Sequence, residues 1–432
     1  MTSLPVIQPP AQPQRWWAMF GLPIYRFLVI ALIVLMIRDH HVRLRIDGDA
    51  PVQIGEVRAV LPAAARLRRD SSAREGLYIY DAAGAQIGYA LRTSPRADHI
   101  VGYRGPTDTL IVLDRDQRIV GIRIRSSDDT LSHVADVRDD EYFMTIFNGL
   151  GWSEAARLDL EEAEIEGVSG ATLTSVAMAE GIVHRLSEAL GQARTRSVRV
   201  GLRDVGTAAT LAFALLVAFT HLRGRIWLRR SFQVWLIVYL GFVNGDLIAQ
   251  ALLAGWASSG LPWRIAPGLV LLVAAALVVP WSSRRQLYCG HICPHGAAQE
   301  LLGRLRLPRL HLSAGLVHGL RWLPAGLLAV VLLVVMLGLP QDLADLEAFD
   351  AYLVPHAAVA TICVAVVGLI ASAFIPQAYC RFGCPTGAVL EFVRSHGRAD
   401  RFGRGDLVAG LLVLFVALLF WQHRAIHDLL VS

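Results

Sequence analysis

Four of the five cysteines fall in a stretch that occurs twice. Tyr288-Cys289-Gly290-His291-Ile292-Cys293-Pro294-His295-Gly296-Ala297 returns as Tyr379-Cys380-Arg381-Phe382-Gly383-Cys384-Pro385-Thr386-Gly387-Ala388, and both copies run on to a glutamate, Glu300 and Glu391. The shared pattern is Y-C-x-x-x-C-P-x-G-A-x-x-E, offset by 91 residues (289 to 380). Four thiolates are the ligand set of one iron–sulfur cluster or of one tetrahedral zinc. Unligated cysteines are small buried hydrophobes, so packing is the plain alternative. Paired spacing and duplication favour a metal, and an iron–sulfur cluster on Cys289, Cys293, Cys380 and Cys384 is the preferred reading. His291 and His295 have Phe382 and Thr386 as their counterparts, which lowers their value as ligands. Glu300 and Glu391 are expected to pair with nearby arginines. Cys363 stands alone in an apolar run and is expected to pack.

Two further places could do chemistry. Ser169-Gly170-Ala171-Thr172 is a turn of small residues that leads into an amphipathic stretch, Val176 to Leu190. Small side chains let a bulky group approach the backbone, and a helix N-terminus favours a phosphate. Thr174 or Ser175 is the expected N-cap. Read bare, such a turn is an ordinary cap. Asp246 is an acid inside the apolar run Trp235–Ala254, with Gln250 expected on the same helix face and Asn244 close by. Acids in a bilayer are costly, so a quinone or proton site stands beside an interhelical hydrogen bond.

The elements that must position these residues are membrane helices. The 432-residue chain is 54% hydrophobic, has positive mean hydropathy and carries a net charge of +5 with every basic residue an arginine. The arginines cluster in short loops beside apolar runs, a positive-inside pattern that sets nucleic-acid binding aside. An anchor around Phe27–Ile37 is expected to stay uncleaved, after a Pro- and Gln-rich start. Six more apolar segments follow at about 207–222, 232–255, 264–281, 322–339, 354–375 and 407–421. Each approaches the ~20 residues needed to cross a bilayer. The expected fold is a polytopic α-helical membrane protein of about seven transmembrane helices. An extracytoplasmic α+β domain lies between the first two. The expected divisions are an anchor over 1–38, that domain over 39–200 and a membrane core over 205–432. Arginine placement puts the loops at about 283–321 and 376–404, which carry the cysteines, in the cytoplasm. The acidic loop 340–353 falls outside. Strand-like alternation marks Gly76–Tyr80, Thr109–Leu113 and Ile119–Ile124, with a hairpin turn at Asp114–Arg118.

Taken together, Gly102-Tyr103-Arg-Gly105-Pro106, Leu110–Asp114, Ile119–Ile122, Asp129-Thr130 and Ser169-Gly-Ala-Thr172 resemble a known domain. It is the FMN-binding domain of the C and G subunits of Na⁺-pumping quinone reductase and Rnf complexes. It is similar also to the periplasmic domain of the NosR/NirI family, including the membrane flavoproteins of reductive dehalogenase clusters. The C-x-x-x-C-P repeat resembles the NosR and NapH membrane core. In that family a flavin transferase joins FMN through its phosphate to the last Thr of S-G-A-T, here Thr172. The resemblance implies a flavin site of Thr172, Ser169, Gly170, Ala171, Thr174, Gly105 and Thr130. The chain has Glu166 where the family has Asp, and it ends in an apolar segment where NosR carries ferredoxin-type clusters, so a shorter NosR-like protein is expected.

The implied function is electron transfer in a bacterial inner membrane. It would use covalent periplasmic FMN, a cytoplasmic-side cluster and a quinone as a further cofactor. Its partners would be the flavin transferase, the quinone pool or another redox donor, and a periplasmic reductase or metalloenzyme. The alternatives are a regulatory or assembly factor for a periplasmic metalloenzyme and a metal-handling membrane protein. One difficulty comes with the reading: a ~30 Å hydrocarbon core would separate the two centres.

Overall fold

The computed structural model describes residues 20–47, 50–163, 165, 167–192, 198–305, 307–339, 341–353, 357–396 and 400–431. Glu166, Arg306, Arg398 and the Pro- and Gln-rich start lie outside the described residues.

The first helix, α1, spans Leu22–Asp47 and contains the expected anchor. A five-stranded antiparallel meander follows: β1 (Arg66–Arg69), β2 (Leu77–Tyr80), β3 (Gln86–Arg92), β4 (Thr107–Asp114) and β5 (Ile119–Ser127), in that spatial order. Side chains alternate across a strand, and β4 is apolar on both faces, so both must be covered. Ile111 and Leu113 meet Met178, Ile182 and Leu186 of α3 (Thr172–Ala189), while Leu110 and Val112 meet Ile79 and Val57 on the other face. Between β5 and α3 lies the short helix α2 (Leu131–Asp139). The three expected strands and the Asp114–Arg118 turn are present. A short helix covers Glu141–Thr145.

The membrane core is built from α4 (Leu202–Phe219), α5 (Ile226–Trp235, continued as a π-helix through Leu236–Asn244), α6 (Gln250–Ser259) and α7 (Pro267–Ser283). It continues with α8 (Pro294–Leu302), α9 (Leu323–Leu337), α10 (Val359–Phe374), α11 (Pro385–Val393) and α12 (Arg404–Val431). Among the described residues four helical stretches are long and apolar enough to cross a membrane: Leu202–Phe219, Ile226–Asn244, Ala314–Leu337 and Arg404–His423. α7 and α10 are shorter apolar helices.

The run expected to span 232–255 is broken. The π-helix ends at Gly245, whose φ of +72° is a left-handed conformation that suits glycine. The chain stays non-helical until Gln250. Asp246 therefore lies in the break, and it shares no helix face with Gln250. Cys363 also departs from expectation, since it is exposed on α10 and does not pack.

Polar contacts seat the sheet domain on the core. The Trp256 indole donates to the Tyr103 carbonyl at 3.1 Å, and Arg45 Nε donates to Asp128 at 2.8 Å. Gly255 lies so close to Arg104 that a Cβ there would sit 2.4 Å from its carbonyl oxygen. At the other end of α1, Arg26 Nε donates to Asp406 at 2.8 Å, and Asp400 lies 3.5 Å from its Nη1. Asp406 is 2% exposed and Asp400 4%. Removing one partner from a buried pair costs about 3–5 kcal/mol. Arg26→Ala is thus expected to lower the thermal midpoint of the detergent-solubilised protein by several degrees, and an unchanged midpoint would show the clamp to be idle.

Candidate functional site

Each cysteine motif folds as a short turn followed by a helix. Cys293 is the N-cap of α8 and Cys384 of α11, with Pro at N1, where no amide proton is needed. The third helical residue is the motif's glycine: Gly296 N donates to Cys293 Sγ at 3.4 Å, and Gly387 N donates to Cys384 Sγ at 3.1 Å. The C-P-x-G spacing therefore makes each sulfur a helix cap and turns the positive ends of two helices toward the thiols.

The repeat brings the two motifs side by side. Gln299 on α8 reaches across to the other motif, its Nε2 donating to Cys380 Sγ at 3.0 Å. Burial, and then the charge of Cys380, pushes the Cys289 thiol up to about 12. Burial raises Cys293, Cys384 and Cys380 as well, with the other thiolates adding to the rise at Cys293. Two buried and two half-buried thiols, each hard to ionise where it stands, suit a cationic centre, which would replace the missing counter-charge. His295 is fully buried beside them, its Nε2 without a hydrogen-bond partner and its ring 4.8 Å from that of Tyr379. A tetrahedral zinc would hold its sulfurs about 4 Å apart. Among the described residues, no three His, Cys, Asp or Glu side chains gather closely enough to grip one ion. An iron–sulfur cluster shares its four ligands among its irons and fits the set better. Glu300 and Glu391 pair with arginines as expected: Glu300 with Arg229 and Arg304 at 2.6 and 2.7 Å, Glu391 with Arg394 at 2.5 Å.

The second site is a narrow cleft between the sheet domain and the core. Gly170, Ala171, Thr172 and Thr174 line one side, and Arg203, Asp246 and Phe349 line the other. Thr172 opens α3, and its hydroxyl is only partly buried. A phosphate placed there would meet the helix N-terminus and the Arg203 cation, so these residues suit the phosphate end of FMN.

The remaining expected flavin residues do not line the cleft. Ser169 is exposed and Thr130 fully buried; neither lines the cleft. Gly105 is pressed against the next strand end, where a Cβ would come within 2.5 Å of the Asp128 Cβ. Ala171 is the N-cap of α3, in place of the expected Thr174 or Ser175. Thr174 donates instead to Asp129 Oδ2 at 2.9 Å. Asp129 also accepts the Tyr103 and Arg104 amides at 3.0 and 2.9 Å, tying the 102–105 loop to the flavin turn. Burial raises the pKa of Asp129, and His133 opposes that rise.

Two groups that the sequence reading left without a role connect the sites. The tyrosine that opens each cysteine motif reaches back into the core. The Ile248 amide donates to the Tyr288 hydroxyl at 2.9 Å, and the Ala348 amide donates to the Tyr379 hydroxyl at 3.2 Å. Ile248 follows Asp246 and Leu247, and Ala348 precedes Phe349 and Asp350; those four line the flavin cleft. Glu347 belongs to the acidic loop, yet it accepts the hydroxyl of Thr386, in the second cysteine motif, at 2.6 Å, and it accepts the Gln250 amide too. Burial pushes Glu347 up to about 7. The break at 245–249 and the loop at 343–353 thus fold into the core and meet the cysteine motifs there. Asp246 is satisfied within it by the Thr207 hydroxyl and by Asn244 Nδ2 at 2.9 Å.

Comparison with known proteins agrees with this geometry. Residues 102–187 match the family described as FMN-binding domain, and residues 265–313 and 357–403 match that described as 4Fe-4S binding domain. The chain is 29% identical over 216 residues to the regulatory protein NosR of Pseudomonas aeruginosa, a match taking in 43% of this chain and 29% of that protein. It therefore spans less than a third of that relative's length. No solved structure matches. The chain is similar to NosR-like FMN-binding proteins, and flavin with an iron–sulfur centre is the cofactor pair that these matches support.

Proposed function

We propose that this protein is a membrane electron-transfer flavoprotein in which FMN, esterified through its phosphate to Thr172, exchanges electrons with a 4Fe–4S cluster held by Cys289, Cys293, Cys380 and Cys384. The observation that carries the reading is the meeting of the two sites. From Cys289 to the flavin cleft the route runs through Tyr288 and one hydrogen bond to Ile248, beside Leu247. A parallel route leads from Cys380 through Tyr379 to Ala348, beside Phe349. The difficulty of a full bilayer between the centres falls away if electrons follow these paths.

The flavin supplies one- and two-electron chemistry when bound. The residues of the chain do the rest. Asp129 fixes the turn that presents Thr172. Arg203 balances the phosphate charge. The N-termini of α8 and α11 favour the electron-rich centre between them. The FMN domain is assigned to the periplasmic side of a bacterial inner membrane, in keeping with the arginine-rich loops about the cysteine motifs. The division into anchor, FMN domain and membrane core is part of the same proposal. The donor would be a quinol or a cytoplasmic carrier, the acceptor a periplasmic reductase or its maturation system, and a flavin transferase would load the FMN. Similarity to a regulatory protein of Pseudomonas favours a second reading, a regulatory or assembly role in which the same two centres act as a redox switch.

Membranes from cells co-expressing a flavin transferase test the proposal on a denaturing gel. A fluorescent flavin band at the size of the chain is expected, and Thr172→Ala should abolish it. With an active transferase and no band in either sample, the flavin turn would revert to a plain helix cap, leaving a metal-handling protein.

A further inference from the structure

A second, small cavity lies between α2 and the acidic loop and is lined by Ser132, His133, Asp342, Asp345 and Asp350 among others. Carboxylates alone do not make a site; His133 does. It is 5% exposed, and its Nδ1 has no hydrogen-bond partner. Its ring stands edge-on to Tyr103 at 5.1 Å. It lines both this cavity and the flavin cleft, and the residues it shares with both are Asp350 and Leu353. A histidine and a carboxylate therefore form the polar part of the wall between an acidic mouth and the flavin.

We propose that His133, together with Asp350, carries protons from this acidic cavity to the flavin cleft. The proposal rests on FMN at Thr172 as argued above. Reducing one flavin by two electrons takes up two protons. The electrons arrive singly from the iron–sulfur centre and the protons come from water, so nothing else is consumed. Imidazole suits the task because its charge changes near neutral pH and its two nitrogens can accept on one side and release on the other. The other charged and titratable groups facing it serve less well. Asp129 is committed to four donors: the amides of Tyr103, Arg104 and Thr130 and the Thr174 hydroxyl. Asp246 is held by Thr207 and Asn244. Arg203 keeps its proton, and Tyr103 is buried as a phenol in the apolar core. Asp136 is on the same helix, and Asp342 and Asp345 lie on the far side of the acidic cavity, where they can supply protons to Asp350.

The test uses the full chain in detergent with its flavin loaded. The flavin is reduced by a light flash that excites an added ruthenium tris-bipyridine electron donor, and proton uptake from the medium is followed with a pH-indicator dye. In His133→Gln, uptake should slow roughly 10-fold or more, while flavin content and the arrival of electrons stay as in the wild type. Added imidazole should restore much of the rate, which repair of a merely structural defect would not do. Asp350→Asn should also slow uptake, and it carries the test if His133→Gln fails to accumulate. Wild-type uptake in either soluble variant, or a slowed rate that imidazole leaves unmoved, would overturn the proposal. A wild-type protein without flavin absorbance would instead overturn the FMN reading, and that is visible before any flash.

Discussion

Cys384→Ser is expected to yield a folded, flavin-loaded protein with iron and acid-labile sulfide reduced to background. The serine oxygen can still accept the Gly387 amide that now bonds Cys384 Sγ at 3.1 Å, so α11 keeps its cap. What is lost is the thiolate, one of four iron ligands. Cys363→Ser is the natural control, because that thiol is exposed on α10 and belongs to neither motif. It should leave the iron content unchanged. Iron, sulfide and zinc assays on the purified protein decide the matter. Zinc in place of iron in the wild type, or full iron in Cys384→Ser, would remove the cluster from the account.

The second large effect is expected at Asp129, far from any cysteine. Its carboxylate is 2% exposed and accepts the Tyr103 and Arg104 amides and the Thr174 hydroxyl at 3.0, 2.9 and 2.9 Å. Asp129→Ala strands these donors in the interior, each at a cost of about 1–3 kcal/mol, with less than additive effect. Several degrees should be lost from the thermal midpoint, and flavin occupancy should fall roughly 10-fold as the 102–105 loop and the flavin turn part. Asp129→Asn keeps one acceptor oxygen and should fall between the two. If Asp129→Ala changes stability by less than about 0.5 kcal/mol, as an ordinary surface substitution does, the residue does not hold the flavin turn.

Much of the cysteine-rich site was legible in the residues alone. The duplicated cysteine motif was, because metal-ligand spacing is local and its repetition is visible by eye. β4 and β5 were too, since continuous apolar runs bounded by Asp114–Arg118 read as a hairpin. β1 was not, because Arg66-Leu67-Arg68-Arg69 is charged along most of its length and lies at the sheet edge. The larger miss was the break at Gly245. Averaged hydropathy stays high through that run, and the polar side chains of Asn244 and Asp246 are satisfied by a different helix, which one chain segment cannot reveal. The motif tyrosines repeated as faithfully as the cysteines. Their role was hidden because their partners are backbone amides, from Ile248 and Ala348, that carry no side-chain signature. Thr130 and Gly105 are expected at the flavin by resemblance; in the structure neither lines the cleft. His133, lone on a short helix, gave no sequence signal beyond its identity.

The central claim is that the two redox centres are neighbours. Dipolar magnetic-resonance spectroscopy on the purified, flavin-loaded chain, with the cluster and the flavin each reduced by one electron, measures their separation directly. The account predicts about half the ~30 Å hydrocarbon thickness or less. Tyr288→Phe and Tyr379→Phe should leave that distance in place while slowing electron exchange. A separation equal to the full thickness of the membrane would contradict it, and would mean that the route between the flavin and the thiols runs through some other carrier.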